Sequence, residues 1–425
     1  MHPIFKHASS LAFAVACTAA SAADTVITAD RLLDVHSGRY IDKPAIHVRD
    51  EKIVAVKSQS EFTAPEGATR IDLAGMTLVP GLIDMHVHMD SDPTYGGYTR
   101  LQFTDRFWSM LMVVHARRTL DAGFTTVRNL GASDWNDVGL RQAIDAGKLI
   151  GPRVVTAGIS FGSTGGHCDR TFFPPSFRAK NEYAADSPEE AVKSVRSVRK
   201  YGAQVIKICA TGGVFSRNTE PGQQQMTLAE MKAIVDEAKM WGLKVAAHAH
   251  GASGIKDAIR AGVSTIEHAS LIDDEGIALA KQHGAWLSMD IYNTEYTQSE
   301  GKKNGVLEEN LKKDRDIGDI QRENFRKAHA AGAKMVFGTD AGIYPHGENA
   351  KQFAWMVKYG MTPLQAIQSA TLNAAEALGR NDVGVVEAGR YADLIGVKGD
   401  PLRDVRALET VSAVVKGGTL IPTSR

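Results

Sequence analysis

Cysteine is nearly missing from this chain: three in 425 residues. So few exclude a scaffold built on disulfides. Cys17 falls in an N-terminal segment read below as removable, which leaves Cys168 and Cys209. These two could pair in an oxidising compartment, and the reading adopted is that they are buried free thiols. Excess charge is missing as well. Lys+Arg and Asp+Glu number 49 each, for a formal net charge of zero, which speaks against a general nucleic-acid binder or a polybasic membrane protein. Beyond the first residues no apolar run is long enough to cross a bilayer. There is no convincing short repeat and no long low-complexity tract. What is present, 43% hydrophobic and 23% charged residues, is ordinary for a soluble globular enzyme. The length exceeds one usual domain but suits a (β/α)8 barrel with an accessory module.

The first residues read as an export signal. Lys6 and His7 precede a small apolar run over 11–20, and Ala20-Ser21-Ala22 offers a cleavage site before Ala23. The run is too short to span a membrane stably. Residues 1–22 are therefore taken as a signal peptide and the mature chain as exported, periplasmic or secreted. Over 23–80, short apolar runs such as Thr25-Val26-Ile27 and Ala45-Ile46-His47-Val48 alternate with turn residues. The same texture returns over 385–425, in 392–397 and 411–415. Neither end can close a core alone, so one small β-sandwich built from both termini is predicted. Between them, over 81–384, strand-like runs at 82–88, 124–130, 153–159, 204–209, 243–248, 263–267, 285–290 and 334–338 alternate with helical patterns. Examples of the latter are 187–201, 227–241, 251–261 and 362–378. Eight such alternations favour a closed α/β parallel barrel over an open sheet. The charged segment 295–318 reads as a solvated helix or mobile insertion.

Candidate chemistry begins at His86-Val87-His88, after Pro80-Gly81-Leu82-Ile83-Asp84-Met85. Residues i and i+2 of a strand face the same side, so the two imidazoles form half a shell for a divalent metal. One such pair is a weak signal. In a parallel barrel, however, functional groups gather at the C-terminal ends of the strands, and further candidates stand there. Lys207 lies in Val205-Ile206-Lys207-Ile208-Cys209, His248 in Val245-Ala246-Ala247-His248-Ala249-His250, His268 after Ile266-Glu267, and Asp340 after Gly338-Thr339. A lone histidine at a strand end is usually a hydrogen-bonded core or loop residue, and a lone aspartate is often a helix cap. A lysine among Val, Ile and Cys is harder to dismiss, because a buried unpaired ammonium is costly. It requires a carboxylate partner, a depressed pKa or covalent modification.

Taken in order, these motifs resemble the amidohydrolase superfamily, in its imidazolonepropionase-like branch of exported peptidases and amidases. Gly123-Phe124-Thr125-Thr126-Val127-Arg128, Gly165-Gly166-His167, Gly338-Thr339-Asp340-Ala341-Gly342 and Pro345-His346-Gly347-Glu348-Asn349 belong to the same pattern, which covers nearly the whole mature chain. The resemblance implies two divalent metal ions, zinc by default. His86 and His88 would hold the more buried ion with Asp340, and His248 and His268 the second. Lys207, carboxylated on Nζ, would bridge them. Of His248 and His250 either could be the ligand; His248 fits the family position, and His250 reads as support for it or as a substrate contact. Asp340 would take the proton of the attacking water and pass it to the departing amine. His167 would stabilise the oxyanion, with Tyr292 as a further donor or else simple packing. Arg217, in the loop 212–218, is the candidate for a substrate carboxylate, unless it is merely solvated; His346 would rim the mouth. Two departures stand out. Arg128-Asn129 replaces an aspartate frequent in relatives and bears on local structure, and Cys168 after His167 leaves the adjoining loop in doubt.

The reading is therefore a binuclear metal-dependent hydrolase of amide bonds to a C-terminal amino acid. It would act as a carboxypeptidase, dipeptidase or N-acyl amino acid amidase, with an ochratoxin-type substrate and phenylalanine leaving group as the specific alternative. Its substrate would be a small molecule or short peptide, with no nucleic acid and no membrane span, and the enzyme would be a homo-oligomer, octamer-like in size. Opening of a cyclic amide of imidazolone or hydantoin type is a second enzyme reading. A non-catalytic scaffold is a third, and the complete ligand set argues against it.

Overall fold

The computed structural model describes residues 24–422, so the signal peptide read at 1–22 and Cys17 lie outside the described residues. Eight short parallel strands carry the centre of the molecule. They are β1 (Leu82–Val87), β2 (Phe124–Asn129), β3 (Arg153–Thr156), β4 (Val205–Cys209), β5 (Lys244–Ala249), β6 (Thr265–His268), β7 (Trp286–Ser288) and β8 (Met335–Val336). Nearly every residue in them is buried, as expected where helices cover the outer face and side chains fill the inner one. Pairing groups them as β1-β2-β3 and β4-β5-β6-β7-β8. The two sheets meet at both edges. Phe161, just past β3, bridges to Ile208 on β4, with its carbonyl accepting from Cys209 N at 2.9 Å. On the other side Met85 N donates to Phe337 O at 2.9 Å and His88 N to Ala341 O at 2.8 Å.

Helices follow the strands where the apolar period changes from two to 3.6. Pro188–Lys200 is started by Ser187, which accepts from Glu190 N, and Leu228–Met240 by a capping box between Thr227 and Glu230. The predicted helix over 362–378 is two helices, Pro363–Ser369 and Leu372–Leu378. They are separated at Thr371, whose hydroxyl turns back onto Ile367 O.

Strands from the two ends join in one eight-stranded sheet. Asp24–Asp34 pairs in parallel with Thr69–Pro80 and antiparallel with Pro44–Arg49, while Leu394–Val397 and Val411–Lys416 extend the Thr69–Pro80 edge. Leu394 sits opposite Pro80, so the second terminal segment docks where the first leads into β1. Lys52–Ser58 pairs antiparallel with Pro44–Arg49, and the short strands Arg39–Asp42 and Thr419–Leu420 complete the sheet. Both are too exposed and too polar to announce themselves by apolar alternation.

Two expectations are corrected. The segment over 295–318 is neither loose nor merely solvated: it contains Asn293–Glu300 and the start of the long helix Glu308–Ala330. That helix buries a polar stripe, with Lys313 donating to Ser216 O at 2.9 Å and Gln321 to His268 O at 3.1 Å. Its charges conceal a face that satisfies loop carbonyls above the parallel strands. Cys168 and Cys209 are not free thiols but form a disulfide. The loop after β3 lies over the end of β4, which brings their Cα atoms to 5.8 Å across a 41-residue separation.

Closing a loop of that length stabilises a chain by about 4 kcal/mol in the chain-entropy estimate. The double variant Cys168→Ser/Cys209→Ser should lose much of that in a denaturant midpoint. Peptide mapping without reductant should recover the two cysteine peptides linked.

Candidate metal and active site

β1 turns Asp84, His86 and His88 to one face. Asp84 is wholly buried and accepts from Thr339 Oγ1 at 2.6 Å and Asn349 Nδ2 at 2.8 Å, as well as from the backbone N–H of His86 and Thr339. Burial pushes its carboxyl up to about 6 against those bonds. This knot sets the end of β1 against the turn that follows β8. His86 Nε2 and His88 Nε2 then both stand 3.4 Å from Asp340 Oδ1, and Lys207 Nζ is 3.4 Å from His86 Nε2. Asp340 is held at a φ of +57° and His268 at +70°, conformations that non-glycine residues avoid unless the surroundings impose them.

Beside this group lie His248, His250 and His268, whose ligand atoms are within 4.8 Å of one another; so are those of His268, Asp290 and Asp340. Each ring is fixed through a nitrogen. His88 Nδ1 donates to Gly131 O at 3.1 Å and His248 Nε2 to Gly212 O at 3.1 Å. His250 Nδ1 meets Ser270 Oγ at 2.8 Å, and His268 Nδ1 meets Asp290 Oδ1 at 2.9 Å. His167 stacks on His248 at 4.1 Å between ring centroids, with Nδ1 on Ser216 Oγ at 2.7 Å. A Cβ on Gly213 would come within 2.4 Å of two His167 ring atoms, so only glycine lets that ring lie flat against the loop.

Desolvation governs the protonation of the cluster. Burial, then the charge of Lys207, draws His88 down to about 4; burial, then His268, draws His167 to about 3. His86, His248 and His250 fall well below the ordinary value, burial again first. For His268 burial is outweighed by the charge and hydrogen bond of Asp290, and its pKa rises. Burial lowers Lys207 to about 8 against the pull of Glu267 and Asp340, and raises Asp340 to about 7 against His268. Imidazoles oriented from behind, all but His268 kept neutral by burial, converging with a carboxylate, are the donor set of a zinc-like ion. The residues therefore fit divalent metal.

Beneath the cluster sits the fully buried Arg128. It donates to Met85 O at 2.6 Å, Thr265 Oγ1 at 3.0 Å and Glu267 Oε1 at 2.7 Å. Burial acts to raise the Glu267 pKa, but the charge of Arg128 and then the contact with His86 hold it well below the carboxylate range. Its other oxygen lies 3.3 Å from His86 Nδ1. The departure at Arg128 thus has its expected role in local structure.

His86, His88, His167, Lys207, His248, His250, His268 and Asp340 all line one cavity of about 490 Å³. Tyr292 and His346 do not line it. Tyr292 packs edge-on against Tyr344 at 5.0 Å, with Lys351 Nζ 6.0 Å from its ring. His346 is buried behind β1, with Nε2 donating to His88 O at 3.0 Å and its ring stacked on His115. It braces the His88 loop and does not rim the mouth. Arg217 is exposed but engaged, by Glu309 at 3.2 Å and the Tyr98 hydroxyl at 3.1 Å. Sequence reasoning missed Asp290. The signal was available, since the apolar run of β7 gives way to a polar residue there as it does at His268 and Asp340.

A family model described as "Amidohydrolase family" matches residues 77–421. The chain is 30% identical over 426 aligned residues to ochratoxinase of Aspergillus niger, covering 93% of this chain and 86% of that one. A solved Xaa-Pro dipeptidase with methionine bound in its active site is 37% identical, with a TM-score of 0.88 over 94% of this chain and 100% of the other. A solved prolidase in complex with N-methylphosphonate-L-proline is 30% identical, with a TM-score of 0.85 over 94% and 99%.

Removing one partner of a buried ion pair leaves the other charge uncompensated, at a cost of roughly 3–5 kcal/mol. Arg128→Met should therefore lower the denaturant midpoint strongly. Adding Glu267→Gln to it should restore part of the loss, a coupling that a double-mutant cycle measures.

Proposed function

The chain belongs to the amidohydrolase family and is a hydrolytic enzyme acting on amide C–N bonds; from that premise we propose that it is a binuclear metal-dependent hydrolase releasing a C-terminal amino acid from a dipeptide or an N-acyl amino acid. The observation that carries this reading is the convergence of buried imidazoles with Asp340 and Lys207 on one side of the parallel strands. The edge bonds at Phe161 and at Met85 favour closure of the eight strands as a (β/α)8 barrel over 81–384. On this reading the terminal strands, over 23–80 and 385–425, form the companion β-sandwich.

His86, His88 and Asp340 would hold one ion and His248 and His268 the other, with His250 as an additional ligand or support. Lys207 would bridge them as a carbamate, which turns a costly buried cation into an anionic ligand. A pKa drawn down to about 8 leaves part of the amine neutral and able to take up CO2. Divalent ions of the zinc type, when bound, supply Lewis acidity that polarises the scissile carbonyl and makes water a better nucleophile.

The remaining work falls to side chains. Asp340, 3.4 Å from both His86 Nε2 and His88 Nε2, would accept the proton of the attacking water and return it to the departing amine nitrogen. His167, kept neutral, can donate from Nε2 to the developing oxyanion when the Ser216 hydroxyl donates to its Nδ1. The disulfide suits an oxidising compartment, in keeping with export, and the enzyme would work as a homo-oligomer.

The zinc-loaded protein should release an amino acid from a panel of dipeptides and N-acyl amino acids, and chelation should abolish release reversibly. Asp340→Asn should lose about 10²–10⁴-fold in kcat while retaining most of its metal. Wild-type turnover by that variant would remove Asp340 from its role. Silence of the metal-loaded enzyme on the whole panel would transfer the proposal to cyclic amides. Lys207→Ala should lose turnover and regain part of it with added short carboxylic acids, assayed as amino-acid release.

A further inference from the structure

Next to the catalytic cavity lies a second chamber of about 260 Å³, and His167, Ser91 and Ile343 line both. Its walls include six aromatic rings: Tyr95, Tyr98, Phe172, Phe173, Phe215 and Tyr296. The walls are anchored from behind. Tyr95 packs on Phe103, Phe107 and Trp108 at 4.8–5.6 Å. Tyr98 meets Phe172 edge-on at 6.0 Å and donates to the Phe172 carbonyl at 3.0 Å. The Tyr296 hydroxyl accepts from Asn304. A cavity of roughly 150 Å³ already holds benzene, so this chamber has room for a phenyl or indole side chain.

Where the chamber joins the catalytic cavity stand two cations, Arg100 and Arg170, which line both spaces. Both are exposed, and among the described residues neither has an ion pair within 4.0 Å or a side-chain hydrogen bond; Arg100 rests over the Trp108 ring at 5.2 Å and feels the more distant charge of Asp90. The nearby carboxylates are already engaged. Asp90 accepts from Ser133 N and Asn136, Asp92 from His115 and Thr94, and Asp169 from Gly165, Arg170 and Asn181 backbone N–H groups. Two neighbouring unpaired guanidiniums are a place for an anion.

We infer that the chamber is the subsite for the side chain of the released amino acid, selecting a large aromatic or apolar residue, and that Arg100 and Arg170 take its α-carboxylate. The inference rests on the amidase reading above and deepens it. Its geometric basis is the junction. The α-carboxylate and the side chain leave the same carbon, which is bonded to the scissile nitrogen. A carboxylate held at the junction therefore directs the side chain into the chamber while the amide stays at the metal cluster. The acyl group is left the polar part of the larger cavity, toward Ser133, Asp134 and Tyr183. Arg217, the arginine singled out by the sequence, lines neither space and is engaged by Glu309 and Tyr98.

The test uses the zinc-loaded full protein with N-acetyl-L-phenylalanine, N-acetylglycine and N-acetyl-L-phenylalaninamide, and calorimetric titration with L-phenylalanine and glycine. The Phe-over-Gly ratio of kcat/KM should be about ten- to hundredfold. Phe172→Ala should shrink that ratio, and Arg100→Gln should shrink the preference for the free acid over its amide. L-Phenylalanine should bind at least tenfold more tightly than glycine. Turnover of all three substrates with flat ratios would overturn the chamber assignment and leave the amidase reading standing. Tight phenylalanine binding without turnover would do the reverse, and absence of both would overturn both.

Discussion

A guanidinium with no access to solvent governs how the site is built. Arg128 lies under the cavity floor, and its charge is balanced by Glu267 on β6, a strand that is not adjacent to its own. That carboxylate would otherwise be driven to protonate by burial. Held ionised, it places its second oxygen 3.3 Å from His86 Nδ1, a charge contact short of hydrogen-bond geometry, while Nε2 is turned toward Asp340 and Lys207. An ion pair in so dry a place contributes little net stability against an apolar substitute. What it supplies is orientation, because an imidazole aimed through one nitrogen has one direction left for the other.

The same logic recurs across the site. Gly131 O fixes His88, Asp290 fixes His268, Ser270 fixes His250 and Ser216 fixes His167. The supports are in turn held from elsewhere: Gln321, on the helix Glu308–Ala330, donates to Asp290, and Lys313 on that helix caps the Ser216 carbonyl. A helix that looks too polar to be buried thus satisfies the loops above the strands. The disulfide adds a covalent tie between His167's neighbour and the strand that carries Lys207. The positive φ of His268 and Asp340 fits this picture, since strained backbone persists where surroundings over-determine it.

Much of this is legible in the amino-acid sequence. The eight parallel strands fall within a few residues of the apolar runs, because strands buried on both faces read as continuous apolar stretches. The polar residues that line the cavity are legible for a related reason: His86, His248, His268 and Asp340 stand where such a run gives way, and Lys207 is the one charge inside its own run. Arg217, Tyr292 and His346 are misplaced by sequence reasoning because a loop residue's partner is not written beside it. Glu309 lies 92 positions from Arg217, and the His88 carbonyl lies 258 from His346. Pairing of Cys168 with Cys209 is undecidable from the chain alone for the same reason. It depends on how the loop after β3 folds back over β4.

What the sequence determined by itself was the alternation of strand and helix, the residues that end each strand, and so the chemistry they can share. Period and burial are properties of neighbours along the chain, and they survive in one dimension. Tertiary structure alone decided which nitrogen of each histidine is free, which charges cancel, and which arginines remain unpaired at the mouth. Those follow from distances between residues far apart in sequence, in a medium whose low polarity makes a single carboxylate decide the charge of its neighbours.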